Sequence, residues 1–180
     1  DERPQASWLA WTRFAPLVHG ALARALGTDD DVPDLVQEVF FRLFRRVHTL
    51  RDRAALRSFV YSIVVRVLRS ELRRRRVRRI MRPLEALTGA DEPAIPGPAD
   101  DGREALRRFY GILDRLSARE RAAYVLRHVE GLSLDETAVA VGVSLATIKR
   151  CLARAAAIVD PALRADDVLA GYTGVKEGST

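Results

Sequence analysis

Apolar residues recur at helical spacing along most of the chain, and no stretch alternates as a half-buried strand would. Trp8 to Leu26 predicts a first helix, bent at Pro16 and stopped at Gly27. Asp31 reads as an N-cap, with Pro33 in the first turn and Asp34 three residues on, and opens a helix to about Val47. A third, longer helix begins near Arg53 and ends near Arg79. Further on, Ser117 with Glu120 and Ser133 with Glu136 have the spacing of capping boxes, in which serine and acid satisfy each other's orphan amides. Ser144 opens another helix without the acid, and Asp160-Pro161 is expected to close it. Gly131 and Gly142 stand where helices end in a left-handed residue. Leu134 to Leu152 is therefore a helix-turn-helix, with Ala138 allowing close approach and Val143, Ile148 and Leu152 packing between the helices.

Pro83 to Gly102 breaks this pattern. It holds Pro83, Pro93, Pro96 and Pro98, three glycines, five acidic residues and no basic one, and is read as a flexible linker. The expected organisation is all-α, with small helical domains at 1–82 and 103–160, a linker at 83–102 and a tail at 161–180.

The helix faces are informative. Advancing about 100° per residue from Leu35 gathers Leu35, Val36, Val39, Phe40, Leu43, Phe44 and Val47 on a core face. Gln37, Glu38, Phe41, Arg42 and Arg45 fall opposite. Phe41 either packs under the first helix or, with Gln37, Glu38 and Arg45, forms a docking patch for another protein. On the third helix, Leu56, Phe59, Val60, Ile63, Val64, Val67 and Leu68 make the buried stripe. Ser58, Ser62, Val65, Arg66, Arg69 and Arg73 line another side, where small residues and arginines suit a nucleic acid.

Charge strengthens that reading. Thirty basic residues against 24 acidic give +6, and the only lysines are Lys149 and Lys176. Arg66 to Arg82 holds nine arginines and one glutamate, which predicts a run without acid partners. Arginine forks onto phosphate oxygens, so nucleic acid is the expected partner. In the helix-turn-helix, Ser144, Thr147, Lys149, Arg150 and Arg154 are the outward candidates for the major groove. Cys151 is the single cysteine, which excludes an internal disulfide and suggests a reducing compartment. No apolar run approaches the roughly 20 residues of a membrane span, and no secretory leader is visible. Met81 is the only methionine, so residues are expected to precede Asp1.

Several of these strings resemble the sigma-70 family of bacterial RNA polymerase sigma factors. Asp34-Leu35-Val36-Gln37-Glu38-Val39-Phe40, with Leu56-Arg57-Ser58-Phe59 through Glu71-Leu72-Arg73-Arg74, resembles region two. Leu116 to Arg121, Glu130 to Glu136 and Thr147-Ile148-Lys149 resemble region four. With only these regions and a short linker, the chain looks like the extracytoplasmic-function (ECF) group. The resemblance implies a cytoplasmic bacterial protein that binds core RNA polymerase and directs promoter-specific initiation, makes and breaks no bond itself, and needs no cofactor or metal. It implies docking on the β′ coiled coil through Asp34, Gln37, Glu38, Phe41 and Arg45, and on the β flap through region four. It implies melting of the −10 element by Thr49, Leu50, Arg51, Asp52, Tyr61, Ser62, Arg66, Arg69 and Arg73. The −35 duplex would be read by Ser144, Ala146, Thr147, Lys149, Arg150 and Arg154. An anti-sigma factor is a further partner it allows. The chain departs from common family residues at Phe59, Arg66, Ser70, Arg150 and Cys151, so its promoter sequences are its own.

Two other classes compete. A two-part helix-turn-helix regulator would need a sensor half, for which residues 1–82 offer neither pocket nor strand-borne aspartate. A metal-dependent nuclease would use Asp29, Asp30, Asp31 and Asp34, yet acids at a helix start serve more often as caps and dipole partners. His19, His48 and His128 sit on separate helices near no cysteine pair, which argues against zinc.

Overall fold

The computed structural model describes residues 2–27, 30–50, 52, 55–81 and 100–173. Among them are α1 (Glu2–Leu26), α2 (Val32–Arg46), α3 (Leu56–Met81), α4 (Asp100–Leu113), α5 (Ala118–Tyr124), α6 (Leu134–Val141), α7 (Leu145–Ala165) and α8 (Asp167–Thr173), and no strand. A 3-10 turn follows α2 at Val47–Thr49, and a π-helical turn follows α5 at Val125–Val129. Most of the predicted linker, and Arg51, lie outside the described residues.

The caps of the second unit form as the sequence spacing requires. Ser117 Oγ accepts from Glu120 N while Glu120 accepts from Ser117 N, and Ser133 and Glu136 repeat the arrangement. Ser144 Oγ accepts from Thr147 N at 3.3 Å. Gly142, at φ +74°, makes the left-handed turn between α6 and α7.

Elsewhere the elements differ from expectation, for visible reasons. Asp31 sits at the start of α2 but caps nothing, because its carboxylate accepts from Arg75 Nη2 at 3.0 Å. The third helix is described from Leu56, and Arg53 lies outside the described residues. α4 begins at Asp100, inside the stretch read as linker. Asp160-Pro161 does not end α7, which continues to Ala165. Buried Val159 and half-buried Ala162 and Leu163 hold that turn against the core in spite of the lost backbone bond. Beyond it, Asp166 accepts from Val168 N and Leu169 N and starts α8, whose Leu169 is buried.

α1, α2 and α3 form the first unit around Val18, Leu22, Val39, Leu43, Val60 and Ile63. α5, α6 and α7 form the second around Val125, Ile148 and Ala155, with α4 and α8 packed on α7. The predicted core face of α2 is too wide by one turn, since Phe44 and Val47 stay partly exposed.

The two units also pack on each other, with α5 and α6 against α3. Buried Arg121 of α5 donates to the carbonyls of Ala25 (2.7 Å) and Leu26 (3.4 Å), which end α1 and lack helical partners. It also pairs with Asp114, and Arg79 of α3 reaches the same carboxylate at 2.8 Å. Gly27, at φ +75°, lies beneath Tyr110 so closely that a Cβ would come within 2.6 Å of the ring. Burial works to raise the Asp114 carboxyl, but Arg79 and Arg121 outweigh it and hold it below its ordinary range.

Candidate nucleic-acid and polymerase surfaces

α2 buries Val36, Val39, Phe40 and Leu43, which leaves the opposite residues to solvent. Asp34 and Gln37 are exposed, and half-buried Glu38 accepts from Arg42 Nε at 2.6 Å. Phe41 is 57% exposed, so it is not packed under α1. The Arg45 guanidinium lies 5.4 Å from the Phe41 ring centroid, a cation–π contact that covers one face of the ring. Sequence reasoning missed the exposure of Trp8 and Leu9 on α1, because a helical apolar period does not show which members find a partner. Trp11 does find one in Phe40, at 4.4 Å between centroids.

The residues singled out for melting are divided. Thr49 and Asp52 are exposed and Leu50 is half-buried, with Thr49 Oγ1 donating to Arg46 O at 2.7 Å. Arg66 and Arg73 are exposed, while Ser62 and Arg69 are half-buried. Tyr61 is only 2% exposed. Its hydroxyl donates to Glu130 Oε2 at 3.4 Å, and Glu130 accepts from Arg24 Nε at 2.7 Å. Burial, then the Glu130 charge, pushes the Tyr61 phenol up. Val65, placed with the outward residues by the helical wheel, is buried.

The arginine run does have acid partners, contrary to expectation. Arg74, Arg75 and Arg78 converge on Glu71, whose side chain is 3% exposed. Burial would raise the Glu71 carboxyl, but hydrogen bonds from Arg74 and Arg75 prevail and hold it below the usual carboxylate range. Arg66, Arg69, Arg73 and Arg76 make no ion pair among the described residues.

α7 carries the groove-reading candidates on its outward face. Ser144, Ala146, Lys149, Arg150 and Arg154 are exposed and Thr147 is half-buried, while Ile148, Cys151 and Leu152 face inward. Arg150 Nη2 donates to Thr147 Oγ1 at 3.4 Å. Arg69, Arg73 and Arg76 of α3 and Thr147, Arg150 and Arg154 of α7 line one half-open pocket of about 600 Å³, together with Arg119 and Glu120 at the start of α5.

Comparison with known proteins supplies the family. A profile described as Sigma-70 region 2 matches residues 10–78, and one described as Sigma-70, region 4 matches residues 106–157. The ferric citrate uptake sigma factor FecI of Escherichia coli K12 is 31% identical over 138 residues, covering 74% of this chain and 77% of its own. The chain is an ECF sigma factor of the sigma-70 family. The ECF RNA polymerase sigma factor SigX of Bacillus subtilis is 29% identical over 120 residues, covering 64% of this sigma factor and 62% of its own length. In fold, it resembles the sigma factor RpoE of Bartonella quintana, solved with the anti-sigma factor NepR, at TM-score 0.64 and 23% identity over 87% of this chain and 95% of that one. The sigma factor directs transcription, and the two-part regulator is not favoured because its first unit is sigma region 2. Among the described residues, no helix is long and apolar enough to cross a membrane.

Proposed function

We propose that this sigma factor acts as a non-catalytic subunit of RNA polymerase in the bacterial cytoplasm, with residues 1–82 and 103–160 as its working domains. Asp34, Gln37, Glu38, Phe41 and Arg45 dock on the β′ coiled coil, and the second domain docks on the β flap. Thr49, Leu50, Arg51, Asp52, Tyr61, Ser62, Arg66, Arg69 and Arg73 take the opened −10 strand. Ser144, Ala146, Thr147, Lys149, Arg150 and Arg154 read the −35 duplex, where a bidentate arginine contact to guanine is worth about 1–3 kcal/mol. An anti-sigma factor is the partner that would keep the protein from polymerase. The observation that carries this reading is the outward face of α7, where a capped helix presents Lys149, Arg150 and Arg154 unburied.

Tyr61 lies under Glu130 here, so taking a base with it requires the second domain to leave α3. Polymerase supplies the reason to part, because two modest contacts held at the right spacing act as one bivalent clamp. The test is transcription with purified core polymerase on fragmented genomic DNA. Start sites that appear only when this chain is added are expected. Their absence, or tight specific duplex binding without polymerase, overturns the assignment.

A further inference from the structure

The cavity between α3 and α7 has an unusual lining. Six of its side chains are Arg69, Arg73, Arg76, Arg119, Arg150 and Arg154, and its single acid is Glu120. Glu120 is already engaged, accepting from the backbone of Ser117 in a capping box. None of the six arginines has an acidic partner among the described residues, although elsewhere in the interface Arg24, Arg79 and Arg121 each have one. Burial first, and then the charges of Arg119 and Arg73, pull the Arg69 guanidinium below its ordinary value. Like charges gathered in a walled space repel unless a counter-charge enters.

We propose that this cavity is a binding site for a compact polyphosphate anion, which clamps the two domains in the arrangement that buries Tyr61. Guanidinium groups from both domains converge on it, so a bound phosphate chain accepts forked hydrogen bonds from each side at once. A single orthophosphate engages few of them, whereas a chain of three or more phosphates spans the lining. The space, about 600 Å³ and half open to solvent, has room for a short phosphate chain. The anion would hold Arg150 and Arg154 as well as Tyr61 away from DNA. The consequence for promoter reading rests on the residue roles proposed above, but binding itself does not.

Cys151 makes the site testable, because it is the chain's only cysteine and lies buried at the wall of the cavity, so an anion that clamps the domains together should shield it further. Its alkylation by a thiol reagent is followed by mass spectrometry on the full chain, at fixed ionic strength, with inorganic tripolyphosphate or orthophosphate. Tripolyphosphate at ten times its dissociation constant should slow alkylation about tenfold, as the unliganded fraction falls. Orthophosphate should do far less. The double variant Arg73→Ala, Arg150→Ala should lose the protection while the outlying variant Arg164→Ala keeps it. Equal protection by a nucleoside triphosphate supports a site that reads only the phosphate chain, and stronger protection supports the same site with room for a base. No protection, equal protection by orthophosphate, or protection that survives in a folded double variant overturns the proposal. The comparison of the two anions on the unaltered chain stands even if the variants fail to fold. Failure here leaves the transcription assay untouched, and the reverse also holds.

Discussion

The two faces of α3 treat the same residue type in opposite ways. Arg74, Arg75 and Arg78 stand three, four and seven residues after Glu71, so they share its side of the helix and close over a buried carboxylate. Arg66, Arg69, Arg73 and Arg76 follow one another at spacings of three and four on a different side, and keep their charge for something outside the first unit. Summed along the sequence, the run is a single block of positive charge. Resolved by helical phase, it is a structural cluster beside a row of arginines with no acidic partner among the described residues.

The largest effect that sharpens this contrast is expected from Glu71→Gln. It leaves Arg74 and Arg78 without their charge partner and Arg75 with Asp31 alone, and should cost about 1–3 kcal/mol, read as a lower midpoint in urea. The sign with pH follows. The folded carboxyl lies below its unfolded value, so the contribution is full above the ordinary glutamate value of about 4.3. It is lost as pH falls through the lower folded value, and the Gln variant should show a correspondingly flatter acid limb. Next comes Gly27→Ala, which meets both a left-handed backbone and the Tyr110 ring. A strain of about 1–3 kcal/mol should loosen the contact between the units, seen as faster hydrogen exchange at Tyr61 and Val65. Unchanged exchange there would show that the ring yields instead.

Phe41→Ala tests the first unit's other surface. Stability should change by less than about 0.5 kcal/mol, while affinity for core polymerase falls on the order of tenfold, as for an aromatic anchor. A marked loss of stability would place the ring in the core. The smallest stability effect belongs to Arg73→Ala, also within about 0.5 kcal/mol, with weaker DNA binding and a shallower salt dependence.

Much of the fold was legible in local chemistry. Both capping boxes, the Ser144 cap and the left-handed Gly142 depend on residues within three or four positions, and each forms. What escaped depends on distant partners. Asp31 is claimed by Arg75 across 44 residues, and Arg121 caps a helix 95 residues upstream. The contact of Tyr61 with Glu130 comes from a second unit that no periodicity within α3 could reveal. Glu71 was readable, since its partners sit at i+3, i+4 and i+7, but a net charge hides that phase. On the candidate surfaces, outward positions on α2 and α7 followed from helical spacing, whereas the pocket that α3 and α7 line together did not.

The central claim is that helical phase separates the arginines that build this sigma factor from those that work on DNA. Transcription from a promoter found with the unaltered chain tests it directly, using core polymerase with Arg69→Ala, Arg73→Ala on one side and Arg74→Ala on the other. Initiation should collapse with the first and persist with the second at temperatures where both are folded. Equal losses in the two, or a loss confined to Arg74→Ala, would contradict it.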